Sequence, residues 1–278
     1  NGERLWDSLM EMATIGPGER GGSRRLALTD ADIEGRNLFR KWADEAGCTF
    51  RLDTMGNLFA RRNGKNPEAP PVLAGSHLDT QPSGGRFDGI LGVLGGLEVV
   101  HSLNDHRIKT EFPVEIVVWT NEEGARFYPA MMGSGVFSGI FDQSEIYTHL
   151  DPDGFTVEEE LRRTKQLGDT PCKSFPIRAY YELHIEQGPI LEAENTKIGV
   201  VTGGQGTYWT HIILHGQGSH AGTTPMHLRK DPIMGASRII TGLREIVLKQ
   251  PGAVGTVGRL ETKPASINSI PGQVFFTV

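Results

Sequence analysis

The sequence is poor in cysteine: two residues in 278, Cys48 and Cys172, with no C-x-x-C spacing. That argues against a disulfide framework and for reduced, structural thiols, as a cytoplasmic compartment would keep them. Long apolar runs are missing too. No stretch approaches the ~18 residues a membrane span needs, and Asn1 to Trp6 lack the apolar segment of a signal peptide. Basic charge is short, 28 Lys and Arg against 34 Asp and Glu for a net charge of -6, and no dense basic cluster offsets it. Nucleic acid is therefore not an expected partner. Internal repeats and low-complexity tracts are absent. The first residue is not Met and the last, Val278, falls inside a strand pattern, so the expectation is of a natural protein extending past both ends.

What is present is an ordinary globular composition, 37% hydrophobic and 22% charged, with 36 glycines. Two domains are expected at this length, and no staples are needed to bury a core. Thr29 reads as the N-cap of a helix ending at Gly47, and Thr156 to Glu159 as a capping box. Thr49–Asp53 and Asn57–Ala60 alternate as two strands. Val72–Gly75 and Val114–Thr120 read as buried strands, with a buried helix from Ile90 between them. The composition shifts at Gly203-Gly204-Gln205-Gly206, which divides the chain into residues 1–205 and 206–278. Beyond it come a strand over Tyr208–His215, a helix opened by Asp231-Pro232, and strands over Gly255–Leu260 and Gln273–Val278.

Chemistry-bearing residues gather where strands end. His77 and Asp88 lie on a loop leaving the central strand, at the end where open α/β sheets build ligand sites. Asp79, two residues past His77, is placed to take the second ring N–H of that imidazole with its carboxylate. Glu122 and Glu123 follow the next buried strand. In isolation such a pair is solvated turn surface; one strand after His77 and Asp88, it reads as part of the same site. Ala179–Glu186 alternates with period two, putting Glu182, His184 and Glu186 on one face and Tyr181, Leu183 and Ile185 on the other.

Five motifs in order resemble the hydantoinase/carbamoylase family of amidohydrolases, within the clan of dinuclear metallo-aminoacylases and carboxypeptidases. They are Gly75–Thr80, Gly85–Gly89, Asn121–Gly124, Glu182–Pro189 and Gly218–Met226. The resemblance implies an α/β fold: a mixed-sheet catalytic domain with helices on both faces, and a smaller α+β dimerisation (lid) domain. It implies two divalent metal ions per subunit, zinc first, with manganese, cobalt or nickel also suited to the donor set. His77 and His184 would hold one ion, Glu123 the other, and Asp88 would bridge them. Glu122 would be the general base. Gln187, His220 and Asn268 would meet substrate, with His220 reaching a partner subunit's site in a homodimer formed through the small domain.

The reaction so implied is hydrolysis of the C–N bond of a linear ureido compound by a metal-bridging hydroxide. The substrate would be an N-carbamoyl amino acid, N-carbamoyl-β-alanine or allantoate, and ammonia and carbon dioxide would be released. The family pattern also has a last metal-binding His and a carboxylate-binding Arg after the small domain. Neither position lies within these residues, so the second metal site is expected to lack a ligand here. Two other readings stand beside this one: an N-acyl-amino-acid deacylase or dipeptidase of the same clan, and a binding relative without activity.

Overall fold

A computed structural model describes residues 1–278, which divide into two compact units, Asn1–Lys197 and Ile198–Val278. The division falls somewhat ahead of the glycine-rich joint expected from composition.

The first unit opens with helices α1 (Gly2–Met12) and α2 (Asp30–Glu45). Thr29 caps α2 by accepting the Asp32 N–H, and the chain reverses at Gly47, as its sequence indicates. Next come β1 (Thr49–Leu52), β2 (Leu58–Arg62), β3 (Val72–His77), α3 (Ile90–Asp105) and β4 (Val114–Trp119). An excursion carries the short helices α4 (Met132–Phe137), α5 (Gln143–Ile146) and α6 (Val157–Arg163), the last with its capping box formed. Strand β5 (Ala179–Tyr181) and the single turn α7 (Ile190–Ala193) complete the unit.

The sheet order is β1-β2-β4-β3-β5. β1, β2 and β4 pair antiparallel, while β3 runs parallel to both β4 and β5. Alternation along the strands builds a core on each face. Leu58, Ala60, Ile116 and Val118 turn toward α1, α2 and α3, packing with Leu9, Phe39 and Leu94. Phe59, Val117 and Trp119 turn the other way onto Met132, Phe137 and Leu161. The glycines of α3 let that helix sit close: a Cβ on Gly92 would stand 2.7 Å from both the Ser76 Cβ and the Leu183 carbonyl oxygen.

Strand β5 is shorter than its alternation suggests. The pattern reads as strand through Glu186, with Gln187-Gly188-Pro189 as the loop ending it, whereas the ladder with β3 closes at Ala74↔Tyr181 and residues 182–189 run without a strand partner. A period of two records which side chains share a face. It does not say whether a neighbour supplies hydrogen bonds.

In the second unit, β6 (His211–His215), β7 (Ser219–His220), α8 (Pro232–Leu248), β8 (Leu260–Lys263), β9 (Ser269–Ile270) and β10 (Gln273–Thr277) follow in order. Asp231 caps α8, with Pro232 in the first turn. A three-stranded antiparallel sheet, β6-β10-β8, packs Val274 and Phe276 against Ala236 of α8, and β7 pairs with β9 separately. The strand expected over Gly255–Leu260 lies instead at Leu260–Lys263, because register with β10 (Phe276↔Leu260, Gln273↔Lys263) selects those residues.

One surface pair links the first and third helices. Arg4 donates to Glu98 at 2.7 and 2.8 Å, and these bonds hold the Glu98 carboxyl down from 4.5 to about 2. A depressed carboxyl stabilises the fold above its unfolded pKa and loses that contribution as pH falls through the folded one. Glu98→Gln should therefore cost about 1 kcal/mol near neutrality, after solvent screening, or ~2–4 °C in Tm. The difference should shrink between pH 4.5 and 2. Thermal melts across that range check it, and a pH-independent loss would refute the linkage.

Candidate active site

Three strand ends supply the site. His77 is the last residue of β3, still paired with Trp119 of β4, and so sits on the strand itself rather than on the loop expected to carry it. Asp88 precedes Gly89 and α3, Glu122 and Glu123 follow β4, and His184 lies three residues past β5. The structure brings His77, Asp88 and His184 together, each offering a ligand atom within 4.8 Å of the others.

Both imidazoles are oriented by the main chain. Nδ1 of His77 lies 2.8 Å from the Asp79 carbonyl oxygen, and Nδ1 of His184 lies 2.9 Å from that of Ile185. A carbonyl only accepts, so each Nδ1 carries a proton and, in the neutral ring, each Nε2 presents a lone pair. These Nε2 atoms stand 3.9 Å and 3.3 Å from Asp88 Oδ1. Nε2 of His77 is also 3.4 Å from Glu122 Oε2.

The role expected of the Asp79 carboxylate needs correction. It is the Asp79 main-chain carbonyl that takes the His77 ring N–H; the carboxylate is 4.0 Å from Nδ1. Its two oxygens accept the N–H groups of Glu122 and Glu123 instead, each at 3.2 Å. A residue two positions along an extended chain aims its carbonyl at the ring more easily than its side chain. Burial pushes the Asp79 carboxyl up to about 7, against the pull of His77 and those donors.

The pocket is short of positive charge. Asp79, Asp88, Glu122 and Glu123 gather there without a Lys or Arg ion pair, meeting only histidines. Oε1 of Glu123 is buried with no hydrogen-bond partner. Burial raises the Glu122 pKa, and Glu123 and Glu182 add to the rise. Burial alone would lower His77, but Asp79, Glu122 and Glu123 together outweigh it and the net shift is upward. Two free imidazole nitrogens, an orphaned carboxylate oxygen and excess negative charge fit a divalent cation.

Two glutamines touch these carboxylates. Gln81, which sequence reasoning missed, donates to Glu123 Oε2 at 2.8 Å. Nothing distinguishes it in sequence from a surface loop residue. Gln187, expected to meet substrate, has its amide on Asp88 Oδ2. Arg126 is engaged elsewhere, with Asp151, Glu160 and the Ala27 carbonyl, and Arg86 binds the Gly21 carbonyl.

In the second unit, His220 pairs with Ser269 in the β7–β9 ladder, and one step further the Ala221 N–H donates to the Asn268 carbonyl at 3.0 Å. Nδ1 of His220 accepts the N–H groups of Gly222 and Thr223 at 3.1 and 3.2 Å. The neutral ring therefore carries its proton on Nε2, the opposite tautomer to His77 and His184.

Residues 73–273 match the family described as Peptidase family M20/M25/M40. An N-carbamoyl-L-amino-acid amidohydrolase of Rhizobium meliloti is 52% identical over 279 residues, spanning 100% of this chain and 67% of that protein. An N-carbamoyl-L-amino acid amidohydrolase of Geobacillus stearothermophilus is 41% identical, spanning 100% and 68%. The crystal structure of an amidase of the hydantoinase/carbamoylase family from Burkholderia vietnamiensis superposes with a TM-score of 0.89 at 56% identity, covering 100% of this chain and 67% of that one.

Gly89 carries a local prediction. Its φ is +72°, and a Cβ there would lie 2.4 Å from the His77 ring. Gly89→Ala should displace the imidazole and weaken divalent-cation binding by ~10-fold or more, while far-UV circular dichroism stays native. Calorimetric titration with Co2+ checks this; unchanged affinity would show that His77 tolerates the methyl.

Proposed function

The chain belongs to the hydantoinase/carbamoylase branch of peptidase family M20/M25/M40, and from that premise we propose that it is a metal-dependent amidohydrolase cleaving linear ureido compounds, N-carbamoyl-L-amino acids first among them. The observation that carries this reading is the pair of imidazoles with Nδ1–H tied to carbonyls and Nε2 atoms 3.9 and 3.3 Å from Asp88 Oδ1, beside two adjacent glutamates, of which Glu122 lies 3.4 Å from His77 Nε2.

His77, His184 and Asp88 would hold one cation, and Glu123, with Asp88 shared, a second; zinc is the first choice and manganese, cobalt or nickel also suit these donors. Bound cations would acidify a water and polarise the ureido carbonyl. Glu122 takes the water's proton and passes it to the departing nitrogen, as general base and then acid. His220, with its proton on Nε2, is in the right tautomer to donate to an oxyanion, and delivery to a partner subunit's site would make the enzyme a homodimer joined through the small unit. Gln187 and Asn268 supply amides for the ureido and carboxylate groups. R–NH–CO–NH2 and water become R–NH2, ammonia and carbon dioxide.

Metal analysis coupled to an ammonia-release assay on N-carbamoyl-L-amino acids, N-carbamoyl-β-alanine and allantoate tests the reading. Bound divalent metal with ammonia from one of them is the expected result. Metal without ammonia, but with a carboxylic acid freed from N-acyl amino acids or dipeptides, would favour the deacylase reading, and neither metal nor turnover a binding relative. Glu122→Gln should lower turnover by ~10² or more with metal content unchanged; loss of metal would make Glu122 a ligand instead.

His220→Ala should cost ~10²–10³ in kcat. Mixing it with Glu122→Gln protein should restore activity in hybrid dimers. Exchanged subunits that stay inactive would place His220 in its own subunit's site.

A further inference from the structure

The Glu182 side chain has no part in the chemistry above, yet it joins the strand ends that supply the site. The β3–β5 ladder closes at Ala74↔Tyr181. His77 and His184 each lie three residues further on, so the parallel register carries them out side by side, with ring centroids 6.0 Å apart. Past the last ladder pair, side chains take over from the backbone. Ser76 Oγ donates to Glu182 Oε1 at 2.5 Å, and the Tyr180 hydroxyl donates to Oε2 at 2.6 Å. The Tyr180 oxygen in turn accepts the Trp119 indole N–H at 3.1 Å. Trp119 ends β4, just ahead of Glu122 and Glu123. One chain of hydrogen bonds thus ties the ends of β4, β5 and β3, which deliver Glu122 and Glu123, His184 and His77 in turn.

We propose that Glu182 is a positioning residue: its carboxylate clasps Ser76 and Tyr180 and so fixes the separation of His77 and His184 that a single cation requires. The inference rests on the metal reading given above. An ionised carboxylate accepts at both oxygens, as two hydroxyl donors require, whereas a carboxamide offers only one acceptor. A solvated glutamate on a strand face would be indifferent to that exchange.

The test is a Co2+ titration of the metal-free full chain, reading affinity by calorimetry and ligand geometry by visible d–d absorption. Glu182→Gln should weaken binding ~10–100-fold and shift the absorption band. Tyr180→Phe and Ser76→Ala, each removing one donor, should weaken it less. The double variant Glu182→Gln with Tyr180→Phe should lose less than the sum of the two single losses, because both substitutions act on the same hydrogen bond. Should Glu182→Gln fail to fold, the two hydroxyl deletions carry the same readout. Wild-type affinity and spectrum in these variants, or fully additive losses, would overturn the clasp while leaving the metal site standing. A wild-type chain that takes up no Co2+ would overturn the metal reading and the clasp with it.

Discussion

The parallel register of β3 with β5 is the constraint on which the site depends. Three ladder pairs, Val72↔Ala179, Leu73↔Tyr180 and Ala74↔Tyr181, decide that His77 and His184 emerge abreast. A slip of one residue would turn one imidazole to the opposite face of the sheet. The register is held from behind by α3, whose Gly92 lets the helix approach the Ser76 side chain and the Leu183 carbonyl more closely than any larger residue would allow. The antiparallel partners on the far side, β1 and β2, meet no catalytic demand. They complete the sheet and give α1 and α2 a surface on which to bury Phe39 and Leu9.

Charge explains why such a pocket needs something bound. Gathering Asp79, Asp88, Glu122 and Glu123 without a Lys or Arg ion pair costs desolvation and mutual repulsion, and the upward shifts of Asp79 and Glu122 are that cost expressed as proton affinity. A divalent cation relieves it where a proton would blunt the general base. The histidines divide by tautomer in keeping with this: those facing Asp88 expose lone pairs, while His220 exposes a donor. Main-chain partners impose the difference, so it does not depend on pH in the range where the rings are neutral.

Much of this was legible from residues alone, because the signals were local. Thr29, Asp231-Pro232 and the Thr156–Glu159 box each satisfy helix ends with their own side chains, and the alternation in β2 and β4 follows from two buried faces. His77, Asp88 and the Glu122–Glu123 pair stood out because polar residues at the ends of apolar strands are rarely idle. What escaped was long-range. The end of β5 depends on where β3 stops pairing, the place of β8 on its register with β10, and the role of Gln81 on a carboxylate 42 residues away in sequence. The destination of the His77 ring proton was misjudged because residue spacing does not distinguish a side-chain oxygen from the carbonyl of the same residue.

Asp79 grips the Glu122–Glu123 loop by its amide hydrogens, not by its side chains. Any two residues other than proline at those positions would present the same donors. The scaffold is thus indifferent to the chemistry mounted on it: a glutamate can be exchanged there without disturbing the grip, and a new function tried without a new fold. A side-chain substitution at either position changes the chemistry mounted on the turn and leaves both Asp79 oxygens with their donors.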